Sequence, residues 1–244
     1  DEYHLIMDSN LVKILGKNRE LIFNGFQSLL QLMPPQIYSI EKVDETIEWI
    51  APTVSIHDKP RFNWRGIMID ISRRFLDVTS VKKIVDAMSY FKFNVLHLHL
   101  TDDQGWRIEL PKYPNLTTIG AYRESSPKKW DRRHTDGVPY GPFFYSMDEM
   151  KDLIEYAKNR SITIVPEIEL PGHTLSLLSC YPQYSCTGGP FKPKCLWGPD
   201  EEILCAGNDE ALAFLEKILD DVIELFDSAF IHCGGDEVIK TRWQ

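Results

Sequence analysis

From residue 66 to residue 235 the sequence alternates between segments with the period of a strand and segments with the period of a helix, and that order leaves few folds open. "GIMIDIS" (66–72), "FNVLHLHL" (93–100), "SITIVPEIEL" (161–170) and "AFIHCGG" (229–235) are short apolar runs rich in β-branched and aromatic residues, the pattern of buried strands. Between the first two, Val81, Ile84, Val85 and Met88 recur on one helical face, with Thr79 and Ser80 as candidate caps. Between the next two, Ser146 and Glu149 stand in capping-box register ahead of Met150, Leu153, Ile154 and Ala157. Asn208 caps a third helix carrying Leu212, Leu215, Leu219, Val222, Ile223 and Phe226. Strands that alternate with helices are joined by right-handed crossovers, which predicts an α/β fold with a parallel sheet.

Residues 1–60 follow another pattern. Two strand-like runs lie between residues 3 and 14, a helix runs from Arg19 until Pro34-Pro35 ends it, and an extended Pro-containing connection reaches residues 58–62. The reading is the C-terminal part of a small α/β domain over 1–60, followed by a larger unit over 61–244. No internal repeat or low-complexity segment interrupts either part.

In the larger unit the polar residues fall just past each strand: Thr101-Asp102-Asp103-Gln104, then Glu169 to His173, then Gly234-Gly235-Asp236-Glu237. Loops at the carboxyl ends of parallel strands converge on one face, where α/β folds build their sites. A regular strand would point Asp236 and Glu237 to opposite sides, but the two glycines allow a sharp turn that brings both to one pocket. Paired carboxylates with a histidine and a further aspartate suit acid–base work on a bond whose leaving oxygen needs a proton, so Asp102, His173 and Glu237 are candidates for a relay. The plain structural alternative is a set of buried ion pairs involving Glu167, Glu169 and Arg65. A third reading is a metal-dependent barrel amidohydrolase: His97 and His99 share a strand face and could ligate a metal with His173, His232 and Asp236.

A formal net charge of −9 argues against nucleic acid and anionic membrane surfaces as partners, because both are polyanions. No apolar run is long enough for a spanning helix, and the first residues lack a signal-peptide pattern, as though any leader had already been removed. Cys180, Cys186, Cys195 and Cys205 cluster in one Gly/Pro-rich stretch. Two disulfides there would indicate an oxidising compartment, while irregular spacing without a C-x-x-C pair weighs against zinc. Cys233 reads as a buried free thiol. Sequons at Asn115 and Asn159 fit a secretory route, with Asn115 the better candidate.

Four strings, "WRGIMIDISRRF" (64–75), "KFNVLHLHLTDDQGWRIE" (92–109), "YAKNRSITIVPEIELPGHT" (156–174) and "FIHCGGDEV" (230–238), in this order and at these separations, resemble the catalytic barrel of β-N-acetylhexosaminidases, glycoside hydrolase family 20. The resemblance covers about residues 61–244 and implies a (β/α)8 TIM barrel, of which only the first four or so strand–helix units are present, preceded by part of a small α/β domain. It implies removal of terminal β-linked N-acetylhexosamine, GlcNAc or GalNAc, from glycans or chito-oligosaccharides, with no cofactor. The mechanism would be retaining and substrate-assisted, the sugar's own acetamido oxygen forming an oxazolinium intermediate. Carried over by motif, Asp236 orients the acetamido group, Glu237 is the general acid and then the base, Asp102 and His173 form the relay, and Arg65 grips the sugar hydroxyls. The family often has S-R-H-[FY] where this chain has Ser72-Arg73-Arg74-Phe75, and a larger apolar residue where Cys233 stands. The cysteine-containing loop resembles the bacterial and protist branch more than the lysosomal vertebrate enzymes, and the expected compartment is secreted or lysosomal/vacuolar-like. The remaining half of the barrel is expected in the same or a second, processed chain, and family analogy allows a homodimer. A non-enzymatic sugar-binding relative is the other alternative, against which the intact Asp236-Glu237 pair argues.

Overall fold

The structure, a computed structural model, describes residues 2–244 apart from residues 130 and 132. The chain begins with β1 (Tyr3–Met7), β2 (Val12–Gly16) and α1 (Arg19–Leu32), and after a short 3₁₀ turn at Pro35–Tyr38 adds β3 (Val54–Asp58). These strands form an antiparallel sheet of order β2-β1-β3. Alternation along β1 buries Tyr3, Leu5 and Met7. Helix α1 starts where the Asn18 side chain accepts from Leu21 N at 2.9 Å and ends just before Met33-Pro34. It sits so close to the sheet that a Cβ on Gly25 would lie 2.5 Å from Ile14 Cγ2. Strand β3 lies inside what the sequence presents as an extended connection. Only pairing with β1, far back along the chain, identifies it as a strand.

The second part contains β4 (Gly66–Asp70), α2 (Val78–Tyr90), β5 (Val95–His99), the two-residue strands β6 (Thr101–Asp102) and β7 (Gly105–Trp106), α3 (Asn115–Thr118), α4 (Met147–Lys158), β8 (Thr163–Glu167), α5 (Leu175–Cys180) and α6 (Asp209–Leu225). The sheet is parallel, order β4-β5-β8, with Ile69 beside Leu98 and Leu98 beside Pro166. The expected fourth strand is reduced to one parallel bridge, Glu167 to His232. It is held by His232 N–H donating to Pro166 O, Ile168 N–H to His232 O and Leu170 N–H to Cys233 O, each at 3.0 Å. Among the described residues this segment has a neighbour on one side only, and Gly234 and Gly235 turn the backbone to positive φ directly after it. For the same reason Cys233, expected to be buried, is exposed.

On β5, Leu96 and Leu98 are fully buried in one core with Val81, Val85 and Met88 of α2, Leu153 of α4 and Ile218 of α6. By the two-residue period the opposite face carries His97 and His99. The helices start as the patterning predicts, with one correction: α2 begins at Val78, and its cap is Asp77, accepting from Ser80 N at 2.7 Å, rather than Thr79 or Ser80. Ser146 and Glu149 make both halves of the capping box, and Asn208 caps α6. The loops beyond β4 and β5 are tied by Arg107, which is 0% exposed and donates to the carbonyls of Ser72, Ala121 and Phe143 at 2.7–2.9 Å.

All five cysteines are free thiols, so the expected pair of disulfides is not formed. Cys180 is buried at the end of α5 with its thiol on Asn115 O at 3.1 Å. Cys186 and Cys205 flank the Ser185–Leu204 bridge, and their thiols interact. Among the described residues no helix is long and apolar enough to cross a membrane.

Candidate active site

Asp102 follows β5, His173 follows β8, and Asp236 and Glu237 follow the bridged segment, so all four lie beyond the carboxyl ends of neighbouring parallel strands. The structure brings them together. His173 Nδ1 lies 3.3 Å from both Asp102 Oδ1 and Asp103 Oδ2. Its buried Nε2 lies 3.4 Å from Glu237 Oε2 and 3.9 Å from Asp236 Oδ2. Both adjacent carboxylates therefore face one imidazole nitrogen. The backbone makes this possible through four residues at positive φ: His173 at 52° in one loop, and Gly234 at 62°, Gly235 at 99° and Glu237 at 47° in another. A Cβ at 234 would also fall 1.7 Å from Glu169 Oε2, so any larger residue forces the buried Glu169 carboxylate to move. Gly234→Ala is expected to destabilise the fold by at least about 1–2 kcal/mol from the left-handed backbone alone. It should also lower turnover by displacing Asp236 and Glu237. Thermal unfolding of the variant checks this, and an unchanged melting temperature would contradict the packing described.

The electrostatics centre on Asp102, which is 0% exposed. Its Oδ2 accepts from Arg73 Nη2 at 2.6 Å and lies 3.0 Å from His99 Nε2. Burial disfavours its charge, but His173, His99 and Arg73 outweigh this and hold its pKa down at about 2. The bonds from Asp102 and then Asp103 push His173 up to about 11 against burial, so the imidazole that faces Glu237 is a cation. Burial opposes a charge on His99 too, yet Asp102 and Glu167 raise it to about 10. Burial and then the charge of Glu167 push Glu169 up to about 7. Asp103 is also raised, by burial first.

Arg65 is not in this group. It precedes β4 and so stands at the amino end of the sheet, on the face opposite the site. There its guanidinium is used up by Glu20 Oε1 at 2.6 Å, Lys92 O at 2.7 Å and Phe62 O at 2.8 Å. Arg73, three residues past the end of the same strand, is the arginine that reaches the site, anchored by Asp70 at 2.8 Å and Asp102 at 2.6 Å. The rule that located the other residues, polar groups just beyond a strand's carboxyl end, selects Arg73 and rejects Arg65. Asp103 was legible by the same rule.

The histidines read as metal ligands divide into two places. His97 Nε2 and His99 Nδ1 approach Glu167 Oε2 at 2.7 and 3.0 Å, and His232 Nδ1 lies 2.9 Å from Glu167 Oε1. His173 and Asp236 belong to the other cluster, so the set of five is not assembled.

The family model for glycosyl hydrolase family 20, catalytic domain, matches residues 62–244. A beta-hexosaminidase of Porphyromonas gingivalis is 41% identical over 242 residues, which is 99% of this chain and 30% of that protein. The human beta-hexosaminidase subunit beta is 31% identical across 100% of the chain and 39% of its own length. Among solved structures, the Streptomyces plicatus N-acetyl-beta-hexosaminidase in complex with Thio-NAglucal superposes with a TM-score of 0.86 at 32% identity, covering 99% of this chain and 46% of that one. The chain spans less than half the length of these relatives, and the likeness extends through residues 1–61 to the whole chain.

Proposed function

Because the chain belongs to glycosyl hydrolase family 20, with a TIM-barrel-type fold, we propose that it carries the acid–base half of a β-N-acetylhexosaminidase that releases terminal β-linked N-acetylhexosamine from glycans with retention. The observation that carries this is the convergence of Asp236 and Glu237 on His173. Their carboxylate oxygens and the imidazole nitrogen lie within 4.8 Å of one another. That is short of the roughly 6.5–9.5 Å that inverting enzymes leave between carboxyl groups for a water. It suits a reaction in which the substrate's acetamido oxygen is the nucleophile.

Glu237, at the exposed side of His173, protonates the leaving oxygen and afterwards takes a proton from water. Asp236 orients the acetamido group and stabilises the positive charge that develops on its nitrogen. The His173 cation, held by Asp102 and Asp103, fixes Glu237 and favours its ionised form once the proton has left. Arg73 takes the place assigned by sequence to Arg65 and presents its fork to the sugar's ring hydroxyls.

Residues 61–244 form the first three strand–helix units and the fourth strand of a (β/α)8 barrel, the remainder lying in the same or a second polypeptide, with residues 1–60 closing a small α/β domain. The share of the relatives' length that the chain spans supports this division. So do the edges of the parallel sheet, where Met68 is 54% and Phe230 63% exposed. A secreted or lysosomal compartment fits the family, and Asn115 and Asn159 are both exposed.

The test compares an aryl N-acetyl-β-glucosaminide with the matching aryl β-glucoside, using the protein that contains this chain. Replacing the acetamido group by hydroxyl is expected to cost at least about 10³ in kcat/KM, since a well-placed intramolecular nucleophile supplies effective molarities of about 10⁵ M or more. A chelator should change neither rate. Equal turnover of the two substrates, or loss with chelator restored by a divalent metal, would overturn the reading.

A further inference from the structure

Beside Arg73 a cavity of about 650 Å³ is lined by Arg73, Arg74, Arg123, Lys128, Lys129 and Trp197, with Asp136 the one acid in its wall. In a chain of net charge −9 this concentration of cations stands out, and little of it is neutralised. Arg123 is 1% exposed and is held by neutral groups: Ser126 Oγ at 3.1 Å, Gln104 O at 3.2 Å and Arg73 O at 2.9 Å, with its guanidinium 3.9 Å from the Tyr140 ring centre. Arg74, Lys128 and Lys129 are exposed, and among the described residues none has a carboxylate within ion-pair distance. Asp136 Oδ1 is occupied by the amides of Ser126 and Val138, both at 3.0 Å.

We propose that this cavity binds a sulfate or phosphate ester carried by the terminal N-acetylhexosamine of the substrate. The inference rests on the proposed hydrolase reading for its direction. From Glu237, contacts run through His173 and Asp102 to Arg73, and the cavity opens where they end. The leaving group lies on the Glu237 side. For a sugar removed from a chain end, what extends past Arg73 is therefore a substituent on C3, C4 or C6. A hydroxyl there leaves the three unpaired cations as they are, whereas a tetrahedral oxyanion gains charge-assisted bonds from them. The Trp197 indole supplies an apolar wall for the ring.

The experiment uses the protein that contains this chain and an Arg74→Ser/Lys128→Ser/Lys129→Ser variant. Substrates are an aryl N-acetyl-β-glucosaminide, its 3-, 4- and 6-O-sulfates and its 6-phosphate. One or more esters should be preferred over the neutral sugar by about tenfold, the worth of one or two charge-assisted bonds. The preference should disappear in the variant and in high salt, with neutral turnover unchanged. Comparing sulfate with phosphate identifies the ester. Calorimetric binding of N-acetylglucosamine 6-sulfate, N-acetylglucosamine and inorganic sulfate supplies a readout independent of turnover. Ester binding lost in the variant, with no hydrolysis of any substrate, would sink the hydrolase reading and leave this site standing. An ester-to-neutral ratio unaltered by the variant, or an esterified sugar that binds no better than inorganic sulfate or the neutral sugar, would overturn it.

Discussion

Glu237→Gln is expected to lower kcat/KM for an aryl N-acetyl-β-glucosaminide by about 10²–10⁴, the range supplied by one positioned general acid or base. Glutamine preserves the size of the side chain and its contact with His173 Nε2 but cannot deliver a proton. The side chain is 56% exposed, so the fold should be unaffected and circular dichroism should match the parent. The loss should depend on the leaving group: small for an acidic phenol, which departs without protonation, and large for a sugar or alkyl leaving group. Steady-state kinetics across such a series check this. A loss equal for all leaving groups would remove Glu237 from the role of acid, and no loss at all would return the pair to a purely structural role.

Asp102→Ala should have the largest effect on stability. The carboxylate is fully buried and is shared by Arg73, His99 and His173. Its removal leaves three charged or hydrogen-bonding groups around a hole, at a cost of about 3–5 kcal/mol. It also frees His173 to turn from Glu237, so activity should fall with stability. The pH dependence tests the electrostatics separately. Asp102 is held near 2, below its ordinary 3.8, so its contribution is present above pH 3.8 and is lost as pH falls toward 2. His99 and His173 are raised from 6.5 to about 10 and about 11, so theirs is complete below pH 6.5 and is lost as pH rises through those values. All three contributions are present between about pH 4 and 6.5, but Glu169, raised from 4.5 to about 7, costs stability as pH rises through that window, so the parent should be most stable near its acid end, at about pH 4–4.5. In Asp102→Asn both limbs should flatten. Urea unfolding across that range measures this, and a variant whose limbs match the parent's would show that Asp102 is not the shared counter-ion.

Much of the fold was legible because its signals are local. The helix around Val81 and Val85, the Ser146–Glu149 box and the Asn208 cap each lie within a few residues of chain, and the structure forms each of them. Asp77 was passed over as a cap because two hydroxyl residues follow it. Strand β3 was missed because nothing within "VSIHD" marks it apart from its pairing with β1. Asp102, His173, Asp236 and Glu237 were singled out because each lies a few residues past the carboxyl end of a strand.

Arg65 and Arg73 mark the limit of that reading. Both flank β4, and a motif containing both does not reveal which end of the strand faces the site. The parallel alignment of β4 with β5 decides it, putting Arg73 with Asp102 and Arg65 with Glu20. The cysteines fail in the same way, since closeness in sequence did not bring Cys180 to a partner. Periodicity, caps and the chemistry beyond each strand are properties of short stretches, so the sequence alone determined most of the elements, the parallel order of the larger unit and the groups able to do acid–base work. Which of those groups meet depends on register across the sheet and on left-handed backbone at His173, Gly234, Gly235 and Glu237. Packing and distant hydrogen bonds settle both, and for that reason only the tertiary structure decided the shape of the site.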